Sequence, residues 1–440
     1  MRRLAAELSK AAAGVALFGA VVWVSFSAGA WLQEQGVPLA YRAAVGAETV
    51  MQLGADLREA VVGAGPRSLE SDALTLTVAR DGPRGPLLTV TEGTQALLID
   101  REGRIAHRWD AHHERVFPDS AVPDAAVTWR EPVLMPDGDL VAVHRRRRLL
   151  RPIGLLDQHR GLGVARIRPD GTARWATPLR AHHVPARTRD GGILVLWRRP
   201  LKAPHPAFSG LDRPVFDEGL ARLDPATGAV TRRASFLDLF AGSGLGNLLT
   251  HPPAPRDGAR SKGELFHSNT VRPVSPRAAR HAPFAEAGDL VVSFRNLCAA
   301  ALLDAGTWKV KTVLRGPWIV QHDVGVTPEG TVAAFDNLAP GGGSRVVRWD
   351  PATGRITRTF GDDVLDSPYR GARQYLPGGG TLAVDAWGNT AVAYTADGRV
   401  RWRLTHATDG IFLNSTRRVP RAPVARLLDS ETPRQEDETS

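Results

Sequence analysis

From about residue 76 onward the chain alternates short apolar runs with turns rich in Gly, Asp and Pro. One unit recurs along this stretch: a β-type run, a turn of the form D-G or D-x-x-G, and a second run that often ends on an aromatic residue. Its copies lie at residues 96–109, 165–175, 220–236, 301–313, 346–360 and 391–404. Such runs between Gly-rich turns are typical of β-hairpins, so each copy predicts a pair of antiparallel strands.

A second kind of hairpin lies between the copies of the first. It is found at residues 131–143, 186–197, 285–294, 324–335 and 375–384. Two alternating hairpins make a four-stranded sheet, and six such sheets bury both faces when they stack radially. The last repeats are spaced by about 46 residues, which agrees with the blade length of β-propellers. The sequence therefore predicts an all-β fold, a six-bladed β-propeller spanning residues 76–420.

The segments that flank the propeller differ from it in composition. Residues 33–75 contain helix-forming residues without β-type alternation, so we expect a short helical neck there. Residues 421–440 are polar, which predicts a disordered tail. Within the propeller, the Gly- and Pro-rich stretch 240–264 is expected to be a long loop.

The N-terminus carries a targeting signal. Residues 11–32 contain no charged side chain, and at about 1.5 Å per residue a helix of this length crosses a bilayer core of ~30 Å. Basic residues lie in residues 1–10, so the positive-inside rule puts that segment in the cytoplasm. We expect a single-pass transmembrane helix in the cell membrane, with the propeller on the periplasmic or extracytoplasmic side. The alternative is a cleaved signal peptide, because Ala28-Gly29-Ala30 has the small-x-small form of a cleavage site.

Charge and cysteine content narrow the function classes only a little. Lys and Arg number 56 against 46 Asp and Glu, which gives a net charge of +10. Almost all the cations are Arg in an Ala-rich chain, a composition that a GC-rich genome also produces, so we do not expect a nucleic-acid partner. The basic run at residues 144–152 is expected to be a solvated loop, with contact to phosphate head groups as the alternative. The single Cys298 excludes an internal disulfide and a multi-cysteine metal site.

Three histidines precede second-type hairpins, on the strands expected to be innermost. They are His183, His267 and His322. Innermost strands line the channel of a propeller, so matching places in three blades would bring these side chains to one axis. Strand alternation leaves open whether His182 or His183 points inward. Arg295 ends an apolar strand in the blade of His267, where an ion pair at the blade rim is the alternative role.

Three imidazoles and a guanidinium in one pocket favour an anionic ligand. A divalent cation suits three imidazoles but is repelled by the guanidinium, whereas the oxygens of a sulfate or phosphate suit both. We therefore expect no metal and no other cofactor. A metal-dependent hydrolase or lyase that uses the same histidines is an alternative.

The motifs around these residues resemble the bacterial arylsulfotransferase family. They are FHSN at 266–269, SFRN at 293–296, QHDVGVTPEGTVAAFDN at 321–337, and the HH pair with its D-G hairpin at 182–191. The resemblance covers roughly residues 90–410 and is strongest from 264 to 337. Members of this family are six-bladed propellers that move a sulfuryl group from a phenolic sulfate ester to another phenol without a nucleotide donor.

The resemblance implies a role for each candidate residue. His322 would be the nucleophile that accepts the sulfuryl group as a sulfohistidine, and ping-pong kinetics would follow. His267 and Arg295 would hold the sulfate oxygens, and His183 would be a further donor or a proton carrier. The implied partners are an aryl sulfate donor and a phenolic acceptor, both small molecules.

Residues next to the candidate nucleophile are expected to assist it. Asp323 or Gln321 is expected to orient the His322 ring, and Asn269 and Asn296 are candidate helpers. The expected membrane anchor separates this chain from the well-studied, soluble members of the family. The alternative function is a non-catalytic, membrane-anchored scaffold that binds an envelope protein or a glycan. The sequence does not indicate an oligomeric state.

Overall fold

The computed structural model describes residues 74–91, 93–146, 161–208, 216–250, 265–361, 365–407 and 413–429. Within these residues the strands form six antiparallel sheets. Each sheet is one blade, and innermost strands of successive blades contact one another around a central channel. The fold is the all-β, six-bladed propeller that the repeats predict.

Three blades run outward from the axis in chain order. Blade 3 consists of β10 (Ala181–Arg187), β11 (Ile193–Pro200), β12 (Phe216–Leu223) and β13 (Val230–Ser235). Blade 4 consists of β14 (Ser268–Pro273), β15 (Leu290–Phe294), β16 (Ala299–Leu303) and β17 (Val310–Leu314). Blade 5 consists of β18 (His322–Val326), β19 (Val332–Asp336), β20 (Arg345–Asp350) and β21 (Arg355–Phe360). In each blade a repeat of the first kind supplies the third and fourth strands.

Blade 2 has an innermost strand in two pieces. These are β5 (Val127–Thr128) and β6 (Val133–Leu134), and both pair with β7 (Leu140–Arg146). The sheet is completed by β8 (Gly161–Ile167) and β9 (Ala173–Thr177). Glu131 lies between the two inner pieces and is buried.

Blades 1 and 6 contain the two ends of the described region. Blade 1 combines β2 (Leu87–Val90), β3 (Gln95–Ile99) and β4 (Ile105–Asp110) with an innermost strand from the C-terminal end, β26 (Ser415–Arg418). Blade 6 combines β22 (Ala372–Tyr375), β23 (Thr381–Asp385), β24 (Thr390–Tyr394) and β25 (Val400–His406) with an outermost β1 (Leu74–Val78). The sequence repeats do not predict this closure, because β26 has no hairpin partner next to it in the chain.

Short helices lie between the strands. They span His113–Val116, Phe236–Ala241, Asn247–Thr250, Pro276–Ala279 and Ala425–Asp429, with 3-10 turns at Asp124–Ala126, Pro206–Phe208, Arg295–Leu297 and Ala422–Val424. Ser235 caps the second helix by accepting a hydrogen bond from Leu237 N.

Two sequence expectations are corrected by these helices. The stretch 240–264 is not a loop throughout, because its described part includes the helix Asn247–Thr250. The tail from residue 421 was expected to be disordered, but its first residues form helical turns. Leu427 and Leu428 explain the difference, since they pack on an apolar cluster shared by blades 1 and 2.

The apolar core lies between neighbouring blades. β15 reads as a continuous buried run because it has a blade on each side. Blades 3 and 4 share an aromatic cluster of Phe236, Phe240, Phe266 and Phe294, whose ring centroids lie between 5.0 and 5.8 Å apart. Burial of each ring contributes about 1.5–3 kcal/mol. Phe266 and Phe294 immediately precede His267 and Arg295 in the chain, so this cluster fixes the backbone from which two candidate side chains extend.

The predicted membrane segment is not part of this fold. Residues 11–32 and all but the last two residues of the predicted neck lie outside the described residues, and those two residues begin β1. Among the residues that the structure describes, no helix has the length and apolar character that a membrane crossing needs.

Candidate active site

Three histidines from neighbouring blades meet at one mouth of the channel. His322 is the first residue of β18, His267 immediately precedes β14, and His183 lies near the start of β10. The rings of His183 and His267 lie 5.4 Å apart between centroids, at an angle of 62°. His322 is close enough for its charge to act on His183 and for His267 to act on it. The structure therefore brings the three predicted histidines together.

The backbone at this mouth is bent out of regular strand geometry. His183, His267 and Asp323 have left-handed φ values of 59°, 46° and 49°. A non-glycine residue in that region costs about 1–2 kcal/mol. In the pairing of the innermost strands, register shifts accompany these residues in all three blades. Local strain of this kind re-aims side chains and is concentrated at functional sites.

Because of these bends, the three histidines do not occupy equivalent positions on their strands. His322 pairs with Phe335, and the residue at the same place in blade 3 is His182, which pairs with Leu196. His183 is thus one residue further along its strand, and His267 lies before the start of its own. The prediction of matching places in three blades is therefore wrong in detail. The side chains converge because the strands are bulged.

The choice between His182 and His183 is settled by the same bulge. His182 is 2 % exposed and lies inside blade 3. His183 follows it with a left-handed backbone, contacts the ring of His267 and is half-buried. The two histidines touch each other, with 2.6 Å between their Nδ1 atoms. His183 is the member of the pair at the mouth.

Arg295 joins the histidines from the end of β15. It begins the 3-10 turn Arg295–Leu297, and its backbone N–H donates to the carbonyl of His267 at 3.2 Å. The side chain is 6 % exposed and donates to Asn296 Oδ1 at 3.1 Å. Its charge acts on His322 in the next blade. A guanidinium therefore lies within the cluster of imidazoles.

His322 is held by Asn337, a residue that sequence reasoning did not single out. The His322 Nδ1 lies 2.7 Å from Asn337 Oδ1. The Asn337 Nδ2 donates to the carbonyls of Ser367, at 2.5 Å, and Arg370. Because two carbonyls face Nδ2, that atom is the amide nitrogen and Oδ1 must accept from His322. The imidazole therefore carries its hydrogen on Nδ1, and Nε2 keeps a lone pair.

His322 is also held in its neutral form. Burial and the charges of Arg295 and His267 lower its pKa from 6.5 to about 3, against the opposing effects of its hydrogen bond to Asn337 and of the Val320 backbone. The pKa of His183 is likewise well below its usual value, because the ring is buried and His182 and His267 lie next to it. Near neutral pH the mouth thus contains an uncharged imidazole beside a permanent cation.

Gln321 and Asp323 do not orient the His322 ring as expected. Gln321 donates to the carbonyls of Phe294 and Ala299, at 3.1 and 2.9 Å, and so joins blade 5 to blade 4. Asp323 makes its hydrogen bonds to arginine side chains and backbone further along the channel. Asn269 also has a structural contact, since its amide donates to the carbonyl of Gln321 at 2.8 Å.

Charged residues from five blades cross the channel next to the histidines. Asp323 accepts from Arg272 Nε at 2.8 Å, from an Arg417 amino group at 2.9 Å and from the backbone N–H of Arg373 at 2.9 Å. Glu131 accepts from Arg272 at 3.1 Å and from Arg417. Burial alone would raise the pKa of Asp323, but the surrounding arginines hold it far below its usual value. This network forms a charged layer next to the histidines.

A second arginine was hidden in the basic run at residues 144–152. The described part of that run ends β7 and is not a solvated loop, because His144 is fully buried and Arg145 is 7 % exposed. The charge of Arg145 acts on His183. A sequence signal exists, since in four blades a polar residue lies seven positions after the turn glycine, within the second strand or directly after it. These residues are Arg145, Arg198, Arg295 and Asn337, after Gly138, Gly191, Gly288 and Gly330.

Elsewhere in the described residues, three acidic side chains lie close enough together to hold a metal ion. Glu286, Asp289 and Asp304 bring carboxylate oxygens within 4.8 Å of one another at the edge of blade 4. Lys311 Nζ lies 2.8 Å from Asp289 and 3.5 Å from Glu286, so an ammonium group already occupies this position. The three histidines at the mouth do not form such a group, and their arrangement with Arg295 suits the oxygens of an anion.

Comparison with solved structures finds matches of low sequence identity. A protein of unknown function from Bacteroides caccae is 11 % identical over 74 % of this chain and 97 % of its own, with a TM-score of 0.45. TolB from Acinetobacter baumannii is 13 % identical over 74 % of this chain and 65 % of its own, with a TM-score of 0.42. A streptogramin B lyase is 12 % identical over 77 % and 88 %, with a TM-score of 0.41. No curated protein matches the chain.

The comparison with protein families gives a specific match. The arylsulfotransferase (ASST) family model matches residues 170–407, which is more than half of the chain. The matched range contains His183, His267, Arg295, His322 and Asn337, and it covers blades 3 to 6 apart from β1. This chain belongs to the arylsulfotransferase family.

Proposed function

We propose that this chain transfers a sulfuryl group from an aryl sulfate to a phenolic acceptor through a sulfohistidine on His322. The observation that carries the proposal is the neutral His322 ring, whose Nδ1–H is bound by Asn337. Its Nε2 lone pair is therefore available near neutral pH, beside Arg295 and His267. Membership of the arylsulfotransferase family supports the same reaction class.

The proposed reaction has two halves that reuse one pocket. In the first, Nε2 of His322 attacks sulfur, the N–S bond forms, and the S–O bond to the aryl group breaks. The electron pair of that bond leaves on the phenolic oxygen, which takes up a proton. In the second, the acceptor oxygen attacks sulfur, gives up its proton and returns the lone pair to Nε2. Donor and acceptor bind in turn, which predicts ping-pong kinetics.

Arg295 and His267 supply the electrostatic part of the proposal. The sulfuryl oxygens keep their negative charge throughout the transfer, while new charge develops on the leaving oxygen. Fixed donors in a buried site stabilise such charge without reorganisation, which is the largest single contribution in many enzymes. Arg145 places a second guanidinium beside His183 and extends the cationic region.

The test is a reaction with 4-nitrophenyl sulfate in the absence of a phenolic acceptor. We expect a burst of one nitrophenol per chain and a mass gain of one sulfuryl group on the peptide that contains His322. The His322→Ala variant should show neither. His281→Ala is the matched control, because His281 is exposed on blade 4 and should leave the burst unchanged. A wild-type burst from the His322→Ala variant would exclude the sulfohistidine.

We further propose that the propeller works outside the cytoplasm, held by residues 11–32 as an anchor. The uncharged length of that segment and the basic residues before it support this orientation. Alkaline phosphatase fused to the C-terminus should be active, and the fusion should stay with membranes in carbonate at high pH. The proposal would be contradicted if the fusion had no phosphatase activity and was recovered in the cytosolic fraction.

A further inference from the structure

Glu218 is a buried carboxylate behind the candidate site. It lies on β12 and is 0 % exposed. Its Oε1 accepts from the backbone N–H of His267 at 3.0 Å, and its Oε2 accepts from the N–H and the hydroxyl of Ser268 at 2.8 and 2.6 Å. Three donors on one carboxyl group stabilise its ionised form. Glu218 therefore brings a negative charge into blade 3 and holds the strained backbone at His267.

A buried carboxylate needs positive charge nearby. His182 Nε2 lies 3.9 Å from Glu218 Oε2, an ion-pair distance. Arg198 is the register partner of Glu218 on β11, so a guanidinium belongs to the same part of the blade. Of these two groups, His182 is the one in contact with a residue at the mouth, through its Nδ1.

His182 and His183 share a hydrogen. Their Nδ1 atoms are 2.6 Å apart, and two ring nitrogens this close need one hydrogen between them. Beside the ionised Glu218, the ring that favours both hydrogens is His182, as an imidazolium. His183 then accepts at Nδ1 and carries its own hydrogen on Nε2, on the opposite edge of the ring. The Nε2–H of His183 is then available at the mouth, where His267 and Arg145 lie.

We propose that Glu218, His182 and His183 form a proton relay that serves the phenolic oxygens of donor and acceptor. The inference rests on the proposed sulfuryl transfer, and it assigns the proton that each half-reaction must give or take back. His183 is the group that meets the phenolic oxygen. His182 and Glu218 act through it as positioning residues.

The proton balance closes over the two half-reactions. When the donor's S–O bond breaks, His183 gives its Nε2 hydrogen to the leaving oxygen and receives the Nδ1 hydrogen of His182 at its own Nδ1. His182 becomes neutral and keeps its Nε2 hydrogen toward Glu218. When the acceptor attacks, its hydroxyl proton passes to His183 Nε2, and His183 returns the Nδ1 hydrogen to His182. No other acid, base or co-reactant is consumed.

The relay explains how a histidine with a strongly lowered pKa can donate a proton. Burial, His182 and His267 disfavour an imidazolium at His183, as do Arg145 and His322. In the relay His183 never becomes an imidazolium, because it only exchanges one neutral tautomer for the other. The positive charge lies on His182, next to Glu218, before the first half-reaction, and it returns to His182 in the second. The relay therefore explains why two histidines lie next to each other in the chain.

The first test compares two donors in the Glu218→Gln and His182→Asn variants. Phenyl sulfate releases a basic oxygen that needs the proton, whereas 4-nitrophenyl sulfate releases a weakly basic one. General acid catalysis contributes roughly 100-fold or more, so we expect kcat on phenyl sulfate to fall about 100-fold. On 4-nitrophenyl sulfate we expect a loss below about 10-fold, because its leaving group needs little protonation. Equal losses on both donors would overturn the relay.

Ser268→Ala is the matched control. It removes the hydroxyl that donates to Glu218 but leaves the charge of the carboxylate and both histidines in place. If Glu218 only positions the backbone of His267, all three variants should slow both donors by similar factors. The relay predicts that Ser268→Ala treats the two donors alike, whereas the Glu218 and His182 variants do not.

The second test does not depend on activity. In nitrogen-15 NMR spectra of histidine-labelled protein at pH 7, His182 should show hydrogens on both ring nitrogens, with the signals assigned through their loss in His182→Asn. The Glu218→Gln variant should convert it to a neutral ring. A neutral His182 in the wild type would overturn the relay. If the wild type transfers no sulfuryl group from either donor, the proposed function fails, while the spectrum still decides the proton arrangement.

Discussion

The buried, neutral His322 makes folding stability depend on pH. In the unfolded chain this ring takes up a proton near pH 6.5, but in the folded chain only near pH 3. Between these values the unfolded state binds more protons, so stability is complete above pH 6.5 and falls as the pH decreases toward 3. Each such histidine contributes a slope of up to about 1.4 kcal/mol per pH unit.

The prediction is that His322→Gln flattens this acid slope. Urea unfolding at pH 7 and at pH 4.5 should show a smaller loss of stability in the variant than in the wild type. Part of the slope will persist, because the pKa values of His144 and His183 are also lowered by burial. Parallel losses in the two proteins would mean that His322 is protonated in the folded state.

Arg145 should contribute to donor binding. Its charge lies beside His183 and is buried at the end of β7. Charge-assisted hydrogen bonds are worth about 1.5–3 kcal/mol, so Arg145→Gln should raise KM for 4-nitrophenyl sulfate by roughly 10- to 100-fold. Arg187→Gln is the control, because Arg187 is an exposed residue of β10. Unchanged KM in both variants would remove Arg145 from the binding site.

Individual residues also show how far the sequence predicts the site. His183, His267 and His322 could be found because each precedes a hairpin of the second kind, and Arg295 could be found because it ends an apolar strand. Asn337 taken alone could not, since an Asn after a strand is an ordinary turn residue, and only its spacing from Gly330 marks it. Glu218 could not either, because its partners come from a neighbouring strand and the next blade. Contacts between blades depend on bulges and register, which local patterns do not encode.

At the level of strands, the bulged starts of β10, β14 and β18 place the site beside the charged layer. The layer formed by Asp323, Glu131 and their three arginines connects five blades next to the histidines. Burial and the neighbouring guanidinium groups lower the pKa of Arg373 to about 10, despite the attraction of Asp323. The layer is thus held by Asp323, the carboxylate that all three arginines share.

Asp323→Asn should therefore destabilise the whole propeller. It leaves Arg272, Arg373 and Arg417 around a neutral side chain, and breaking a buried ion pair costs about 3–5 kcal/mol. Urea unfolding at pH 7 measures the loss. The control Asp119→Asn changes an exposed carboxylate and should shift stability by less than about 0.5 kcal/mol. Similar small shifts in both variants would show that the layer is not structural.

The whole molecule depends on a ring that closes between its two ends. The repeats in the sequence predict six blades, and the structure has six. The pairing of β26 with β2 was not predicted, because it joins residues more than 300 positions apart in the chain. Without this pairing, blade 1 would have an unpaired inner edge and the channel would lose Arg417.

Truncation tests this closure. A chain that ends after residue 412 lacks β26 and should give little soluble protein, without a cooperative thermal transition. A chain that ends after residue 429 retains β26 and the packed Leu427 and Leu428, and it should melt like the full chain. Equal melting of both truncated chains would show that blade 1 is stable without its inner strand.

The position of β26 also has a consequence for biosynthesis. A ribosome makes the histidines of blades 3 to 5 well before it makes residues 415–418, which complete blade 1. Until those last residues emerge, the ring is open and the charged layer lacks Arg417, so the nascent chain has no finished channel. The proposed site therefore stays unfinished during most of synthesis, and its supporting layer is complete only once β26 can pair with β2.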